Sequence, residues 1–168
     1  MALCDLLLRL AEEPALYRPL WSERILTEMT KALKTKLHRS SEEVAWRRQQ
    51  MKEAFPEAMV TVPSALLKAV ECIPDKNDRH VLAAAIVAHA NTIITQNSRH
   101  FPKECCEKYG VVCQKPDDFL IDQYHLHPQP VLDKLDDQAA GISQNREFVV
   151  ASLKPAVPKF CKLVEDSN

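Results

Sequence analysis

Two groups of polar residues flank an apolar stretch near the middle of the chain. Asp75 and Asp78 come directly before residues 81–90, which are apolar except for His89. A second group, NSRH at 97–100, follows the next apolar run. Carboxylate oxygens are preferred ligands of Mg²⁺ and Mn²⁺, and Mg²⁺ keeps several waters and needs few protein carboxylates. The pattern predicts a divalent-metal site if the fold brings the two groups together.

Each acidic residue also has a purely structural interpretation. Asp78 is suited to cap the helix that follows, because its carboxylate could accept hydrogen bonds from the free N–H groups and is favoured by the helix dipole. Asp75 would then be an ordinary turn residue. Glu28 lies at the margin of an apolar helical stripe, where it either reaches a cleft or stays on the surface. A capping aspartate stays ionised, so capping and metal binding are compatible.

Helices and short strands are expected to alternate along the chain. The apolar periodicity and the capping residues predict helices at 3–12, 22–37, 40–55, 63–70, 79–90 and 102–109, and from 116 onwards. Strands are predicted at 58–62, 91–95 and 111–114. Such alternation indicates an α/β fold with a parallel β-sheet. The helix 79–90 would run antiparallel to the strands, so both polar groups should meet where the strands end.

The length, composition and net charge of the chain exclude several classes of protein. The chain has 168 residues, of which 46% are hydrophobic and 27% charged, which is typical of a globular protein. Its net charge of −1 gives no global basic field for nucleic acid. The chain shows neither a membrane-spanning run nor a signal peptide, so we expect a cytoplasmic protein with six reduced cysteines. His125 and His127 are a weak hint of a metal site; the cysteine spacing does not favour zinc.

Three segments carry a motif pattern, namely DRHVLAAAI at 78–86, IITQNSRHFP at 93–102 and GVVCQKPDDFL at 110–120. These segments resemble the PIN-domain ribonucleases, in particular the VapC-like toxins of bacterial toxin–antitoxin pairs. Residues 6–29 are similar to the first two helices of the same proteins. The resemblance implies a PIN-like parallel β-sheet flanked by helices over residues 1–120. Residues 121–168 would be a C-terminal helical extension packed on it. It also implies Mg²⁺- or Mn²⁺-dependent endonucleolytic hydrolysis of RNA phosphodiesters.

By motif, the resemblance places the metal ligands at Glu28, Asp75 and Asp78. It gives catalytic roles to Glu28, Asp78 and Asn97, the last of which would orient water or substrate. The first departure from the family pattern concerns two residues after the predicted strand 91–95. Asn97 is an amide where many relatives have a carboxylate, and His100 stands where an aspartate is common.

A second departure concerns the start of the fold. The family begins with a short strand that ends in a metal-binding aspartate, and this first strand is missing here. Asp5 lies within the first predicted helix and cannot replace that aspartate. Either the start is misassigned or the gene degraded, or a partner chain supplies the strand by β-addition. We therefore expect an impaired nuclease of toxin–antitoxin type; the alternative is a catalytically inactive PIN-like module that sequesters an antitoxin or RNA.

Two surface features suggest partners. Seven basic residues against two acidic ones could face RNA phosphates or form a solvated helical surface; they are Lys31, Lys34, Lys36, Arg39, Arg47, Arg48 and Lys52, against Glu42 and Glu43. Trp46 is predicted on the helical face opposite the apolar residues, and therefore exposed. An exposed tryptophan favours a protein contact, either with an antitoxin or with a second subunit in a homodimer.

Overall fold

A computed structural model describes residues 2–167 of the protein, which contain helices and short strands in alternation. The helices are α1 (Ala2–Ala11), α2 (Glu23–Leu37), α3 (Ser41–Ala54), α4 (Ser64–Ala69), α5 (Arg79–Val87), α6 (Lys103–Glu107), α7 (Pro116–Leu126), α8 (Pro128–Ala140), α9 (Arg146–Leu153) and α10 (Pro158–Asp166). The strands are β1 (Trp21–Ser22), β2 (Met59–Val60), β3 (Thr92–Ile94) and β4 (Val112–Gln114). Only β1 was not predicted, because two residues are too short to show a pattern. Within the described range, no helix is long and apolar enough to cross a membrane.

The strands form two parallel pairs, which confirms the predicted α/β class. In one pair Trp21 lies beside Met59 and Ser22 beside Val60. In the other, the N–H of Val112 donates to the Asn91 carbonyl at 2.8 Å and the N–H of Thr95 donates to the Gln114 carbonyl at 2.9 Å. Within residues 2–167 the two pairs are separate sheets. The missing first strand stays a prediction.

The predicted helix starts at Ser22 and Ser40 are confirmed. The Ser22 hydroxyl accepts a hydrogen bond from the N–H of Ile25 at 3.3 Å. Ser40 and Glu43 form the predicted capping box, with the Glu43 N–H on the Ser40 hydroxyl at 3.1 Å and the Ser40 N–H on the Glu43 carboxylate at 2.8 Å. These bonds satisfy N–H groups that a helix start leaves free.

The first of two compact units comprises residues 2–18, 94–96 and 114–167. Leu6 and Leu10 of α1 are fully buried in one core with residues of α7 to α10. Asp117 is also buried, and its carboxylate accepts from the N–H groups of Lys159 and Phe160 at 3.2 and 2.9 Å, which caps α10 from α7. This core therefore combines the start of the chain with its C-terminal helices. The predicted division at residue 120 stays a prediction.

The second unit comprises residues 19–93 and 97–113 and holds all four predicted site residues. Its core is built by Val70, Ile73, Leu82, Ala83, Ala85, Ile93, Phe101, Cys105, Cys106 and Val111. The largely apolar α5 contributes three of these side chains, which explains why it has almost no polar face. The core packs the start of α5 and the segment after β3 into one unit.

A disulfide joins Cys72 to Cys105, with the Cα atoms 5.6 Å apart. The prediction of six reduced thiols is therefore wrong for this pair. That prediction rested on compartment alone, whereas tertiary packing brings the end of α4 against α6. Cys4, Cys106, Cys113 and Cys161 are free thiols.

Candidate metal centre

A tight turn over residues 75–78 leads into α5. The N–H of Asn77 donates to Asp75 Oδ1 at 2.8 Å, and the N–H of Asp78 donates to the Asp75 carbonyl at 3.0 Å. Asparagine and aspartate favour such local side-chain hydrogen bonds, which hold the backbone in a turn. The turn therefore fixes both carboxylates at the start of α5.

Asp78 occupies the N-cap position of α5, as predicted, but its carboxylate makes no capping hydrogen bond. The predicted capping bond is thus wrong. N-cap residues usually have extended backbone angles, whereas Asp78 has helical angles, with φ −92° and ψ −13°. Asp78 Oδ2 lies instead 2.9 Å from Nδ1 of His100. The carboxylate remains partly exposed, at 28% of its side-chain surface.

Asp75, Asp78 and His100 form a cluster of three ligand groups. One ligand atom from each lies within 4.8 Å of the others. His100 belongs to the 3₁₀ turn Ser98–His100 that follows β3. Asn97 precedes this turn, and its carbonyl accepts from the N–H of His100 at 2.9 Å. The expected meeting of the two polar groups thus occurs between the turn before α5 and the turn after β3.

Glu28 lies on α2 and contacts a different group of residues. Its Oε1 atom accepts from Arg24 Nε at 3.2 Å and lies 3.0 Å from His80 Nε2. Arg24 also donates to the carbonyl of Asn77 at 3.2 Å. Glu28 is not among the three mutually close ligand groups, but Arg24 links it to the turn that carries them. Half of its side chain, 51%, is exposed.

His80 is a buried polar group that the sequence analysis did not single out. It is only 2% exposed, and neither ring nitrogen makes a hydrogen bond of regular geometry within residues 2–167. Burial lowers the pKa of His80 below its ordinary 6.5, against the opposing effect of the Glu28 carboxylate. Its imidazole is therefore neutral at pH 7. The sequence feature that could have identified His80 is its position two residues after Asp78, in an otherwise largely apolar helix.

The three clustered groups suit a divalent metal ion. Two carboxylates supply oxygen ligands, and the His100 imidazole adds one nitrogen. Mg²⁺ prefers oxygen ligands alone, whereas imidazole suits transition ions and carboxylates suit both Mg²⁺ and Mn²⁺. The ligand set therefore fits Mn²⁺ better than it fits Mg²⁺.

The family follows from a comparison with known proteins. The family model described as PIN domain matches residues 3–99, which is more than half of the chain. The chain therefore belongs to the PIN-domain family, which confirms the resemblance found in the sequence. No solved structure matches the chain.

One curated relative is similar over part of the sequence. A stretch of 52 residues is 46% identical to a protein of Mycobacterium tuberculosis (strain ATCC 25618 / H37Rv) named "Putative ribonuclease VapC50". The stretch covers 31% of this chain and 31% of that protein. The alignment thus spans about a third of the length of this relative.

Proposed function

We propose that this chain is a metal-dependent endoribonuclease of toxin–antitoxin type, which hydrolyses RNA phosphodiesters. The observation that carries the proposal is the cluster of Asp75, Asp78 and His100 in a chain of the PIN-domain family. The similarity to a protein named as a VapC ribonuclease supports RNA as the substrate class. When bound, a divalent ion polarises the phosphodiester and activates water for hydrolysis.

Each site residue has a role in this proposal. Asp75 and Asp78 hold the metal, and Glu28 is the third metal-binding carboxylate. Glu28 and Asp78 act in catalysis through the metal ion that they would hold in place, and Asn97 orients water or substrate. His80 and Arg24 position Glu28 through the contacts described above. The imidazole of His100 favours Mn²⁺ over Mg²⁺, although either ion serves the chemistry.

The proposal includes a low activity, because Asn97 and His100 stand at positions where relatives commonly have carboxylates. Fewer carboxylates would weaken metal binding. A toxin of this type acts on RNA in the bacterial cytoplasm and is held in check by a protein antitoxin. The exposed Trp46, with 65% of its surface accessible, is the proposed contact for the antitoxin or for a second subunit in a homodimer.

A second candidate function is a catalytically inactive PIN-like module that sequesters an antitoxin or RNA. The observation that favours it is the pairing of Glu28 with Arg24 and His80, which leaves two carboxylates in the cluster. Mn²⁺ affinity separates the two functions. A nuclease must bind the ion, whereas the inactive module has no need of it.

The test is cleavage of a mixed single-stranded RNA by the purified chain with Mn²⁺, Mg²⁺ or EDTA. We expect cleavage that requires metal, is strongly reduced by Asp78→Asn and is kept by Asp5→Asn. Asp5 is a suitable control because it pairs with Arg9 on α1, in the other unit. A folded protein that cleaves no better than Asp78→Asn and binds no Mn²⁺ in calorimetry would support the inactive module instead.

A further inference from the structure

A cavity of about 450 Å³ lies in the same unit as the metal cluster. Its size is within the range of small-molecule pockets. It is lined by Ser98, Arg99, Phe101, Pro102, Lys103, Cys106, Glu107, Val111, Val112 and Cys113. Most of these side chains are apolar, and the metal cluster described above uses none of them.

The cavity and the metal cluster share one turn of the backbone. Arg99 and His100 are consecutive residues of the 3₁₀ turn Ser98–His100, and Phe101 follows directly. Arg99 and Phe101 line the cavity, while His100 faces Asp78. Phe101 is buried in the core, at 6% exposure, and so anchors the turn. A ligand in the cavity would therefore contact the same short segment that carries the imidazole.

The charged residues of the cavity favour an anion. Arg99 is exposed and has no hydrogen-bond or ion-pair partner within residues 2–167. Lys103 is 84% exposed and meets Glu107 only at 3.6 Å. Such an exposed pair contributes little, so the lysine remains available. Arginine and lysine together bind phosphate oxygens well, since both donate charged hydrogen bonds.

The remaining wall offers an apolar surface that solvent can reach. Val112 of β4 is 53% exposed, and Pro102, which also lines the cavity, is partly buried. Val111 and Cys106 also line the cavity, and both are buried. A planar base has an apolar face and gains from covering such a surface.

We propose that this cavity is a nucleotide subsite for the RNA strand that the metal cluster acts on. Arg99 and Lys103 bind the phosphate, and Val112 and Pro102 contact the base. The inference rests on the proposed function and deepens it, because it assigns residues that hold the strand beside the metal cluster. It predicts that these residues affect RNA binding in the absence of any metal.

The test measures binding of a fluorescently labelled single-stranded RNA by anisotropy in EDTA, where metal-dependent cleavage is switched off. We expect the double variant R99A/K103A to weaken binding about tenfold, and to reduce the slope of log K against log salt by roughly 0.7 for each lost phosphate contact. Val112→Glu should weaken binding several-fold by placing a carboxylate against the strand. Lys108→Ala is the control, because that lysine lies over the Tyr109 ring and does not line the cavity.

The outcomes separate this inference from the proposed function. RNA binding that falls in both cavity variants and not in Lys108→Ala supports the subsite, even if Mn²⁺ produces no cleavage. Equal RNA binding by all variants overturns the subsite. The proposed nuclease activity is then tested by the cleavage assay alone. A wild-type protein that binds no RNA also overturns it. Circular dichroism of each variant establishes that it is folded, and all four substituted side chains are exposed.

Discussion

At the scale of single residues, the orientation of Asp78 determines what the turn before α5 can do. A capping carboxylate would be occupied by the helix N–H groups. The observed carboxylate lies against His100 instead, so both residues are available to a metal ion. His100 thus has a direct place in the candidate site, although the sequence presented it only as a departure from the family pattern.

Replacing His100 by aspartate should change the metal preference. His100→Asp exchanges the nitrogen ligand for a third carboxylate, so we expect Mg²⁺ affinity to rise by roughly tenfold relative to Mn²⁺ affinity. Calorimetric titration with each ion measures both. His125→Asp, at an exposed position on α7, controls for the added charge. If the two histidine variants behave alike, His100 is not a ligand.

His80 leads to a prediction about stability. His80→Leu removes a buried imidazole whose Nδ1 atom has no partner within residues 2–167. An unsatisfied buried polar group costs about 1–3 kcal/mol, so we expect the free energy of unfolding to change by less than about 1 kcal/mol or to increase. Leu82→Ala, at a fully buried position in the same helix, should cost about 2–5 kcal/mol. Urea unfolding measures both changes. If His80→Leu lowers the free energy of unfolding nearly as much as Leu82→Ala does, the prediction is refuted.

At the scale of elements, the disulfide closes the segment that carries the metal cluster. Cys72 stands three residues before Asp75, and Cys105 stands five residues after His100. The segment between them contains α5, β3 and all three ligand groups. The bond therefore limits how far the turn before α5 and the turn after β3 can separate.

Loss of the disulfide should destabilise the second unit. The two cysteines are 33 residues apart in sequence, and a bond that closes a loop of this order stabilises a protein by about 2–4 kcal/mol. We expect Cys72→Ser to lower the free energy of urea unfolding by that amount, while Cys4→Ser, at a free cysteine, has little effect. Thiol titration of the denatured wild type gives an independent check. Six reactive thiols without reductant would show that the bond does not form.

At the scale of the whole molecule, the family match and the compact units divide the chain differently. The match ends at residue 99, whereas the first unit packs α1 together with helices that follow residue 114. Leu6 and Leu10 of α1 are 0% exposed, and their partners include Val131 and Leu135 of α8. The start of the chain therefore depends on its end for burial.

A chain truncated after Leu120 tests the proposed extension over residues 121–168. We expect α1 to unfold in the truncated chain, because its buried leucines lose the core that covers them. Hydrogen exchange of the α1 amides in the truncated and full-length chains measures this directly. Protected α1 amides in the truncated chain would show that residues 1–120 fold as an independent domain.

Trp46 bears on the partners of the whole molecule. Its predicted exposure is confirmed, whereas the partner surface remains a proposal. Because the net charge is −1, the proposed binding of RNA depends on local groups such as Arg99 and Lys103 rather than on the overall field.

The sequence by itself determined the local structure and the family. The capping box of Ser40 and Glu43 and the cap at Ser22 depend on residues three positions apart, so they could be predicted without a fold. The alternation of helices and strands followed from the period of the apolar residues. The motif segments identified the PIN-domain family, which the match over residues 3–99 confirms.

Only the tertiary structure decided which distant side chains meet. Asp78 and His100 are 22 residues apart, Glu28 and His80 are 52 apart, and Cys72 and Cys105 are 33 apart. The contact between α1 and α8 joins the start of the chain to one of its C-terminal helices. Local patterns constrain the backbone within a few residues, whereas these contacts depend on how α5 and its neighbours pack into a common core. For that reason the sequence predicted a meeting of polar groups, and only the packing showed that His100 is the residue that meets Asp78.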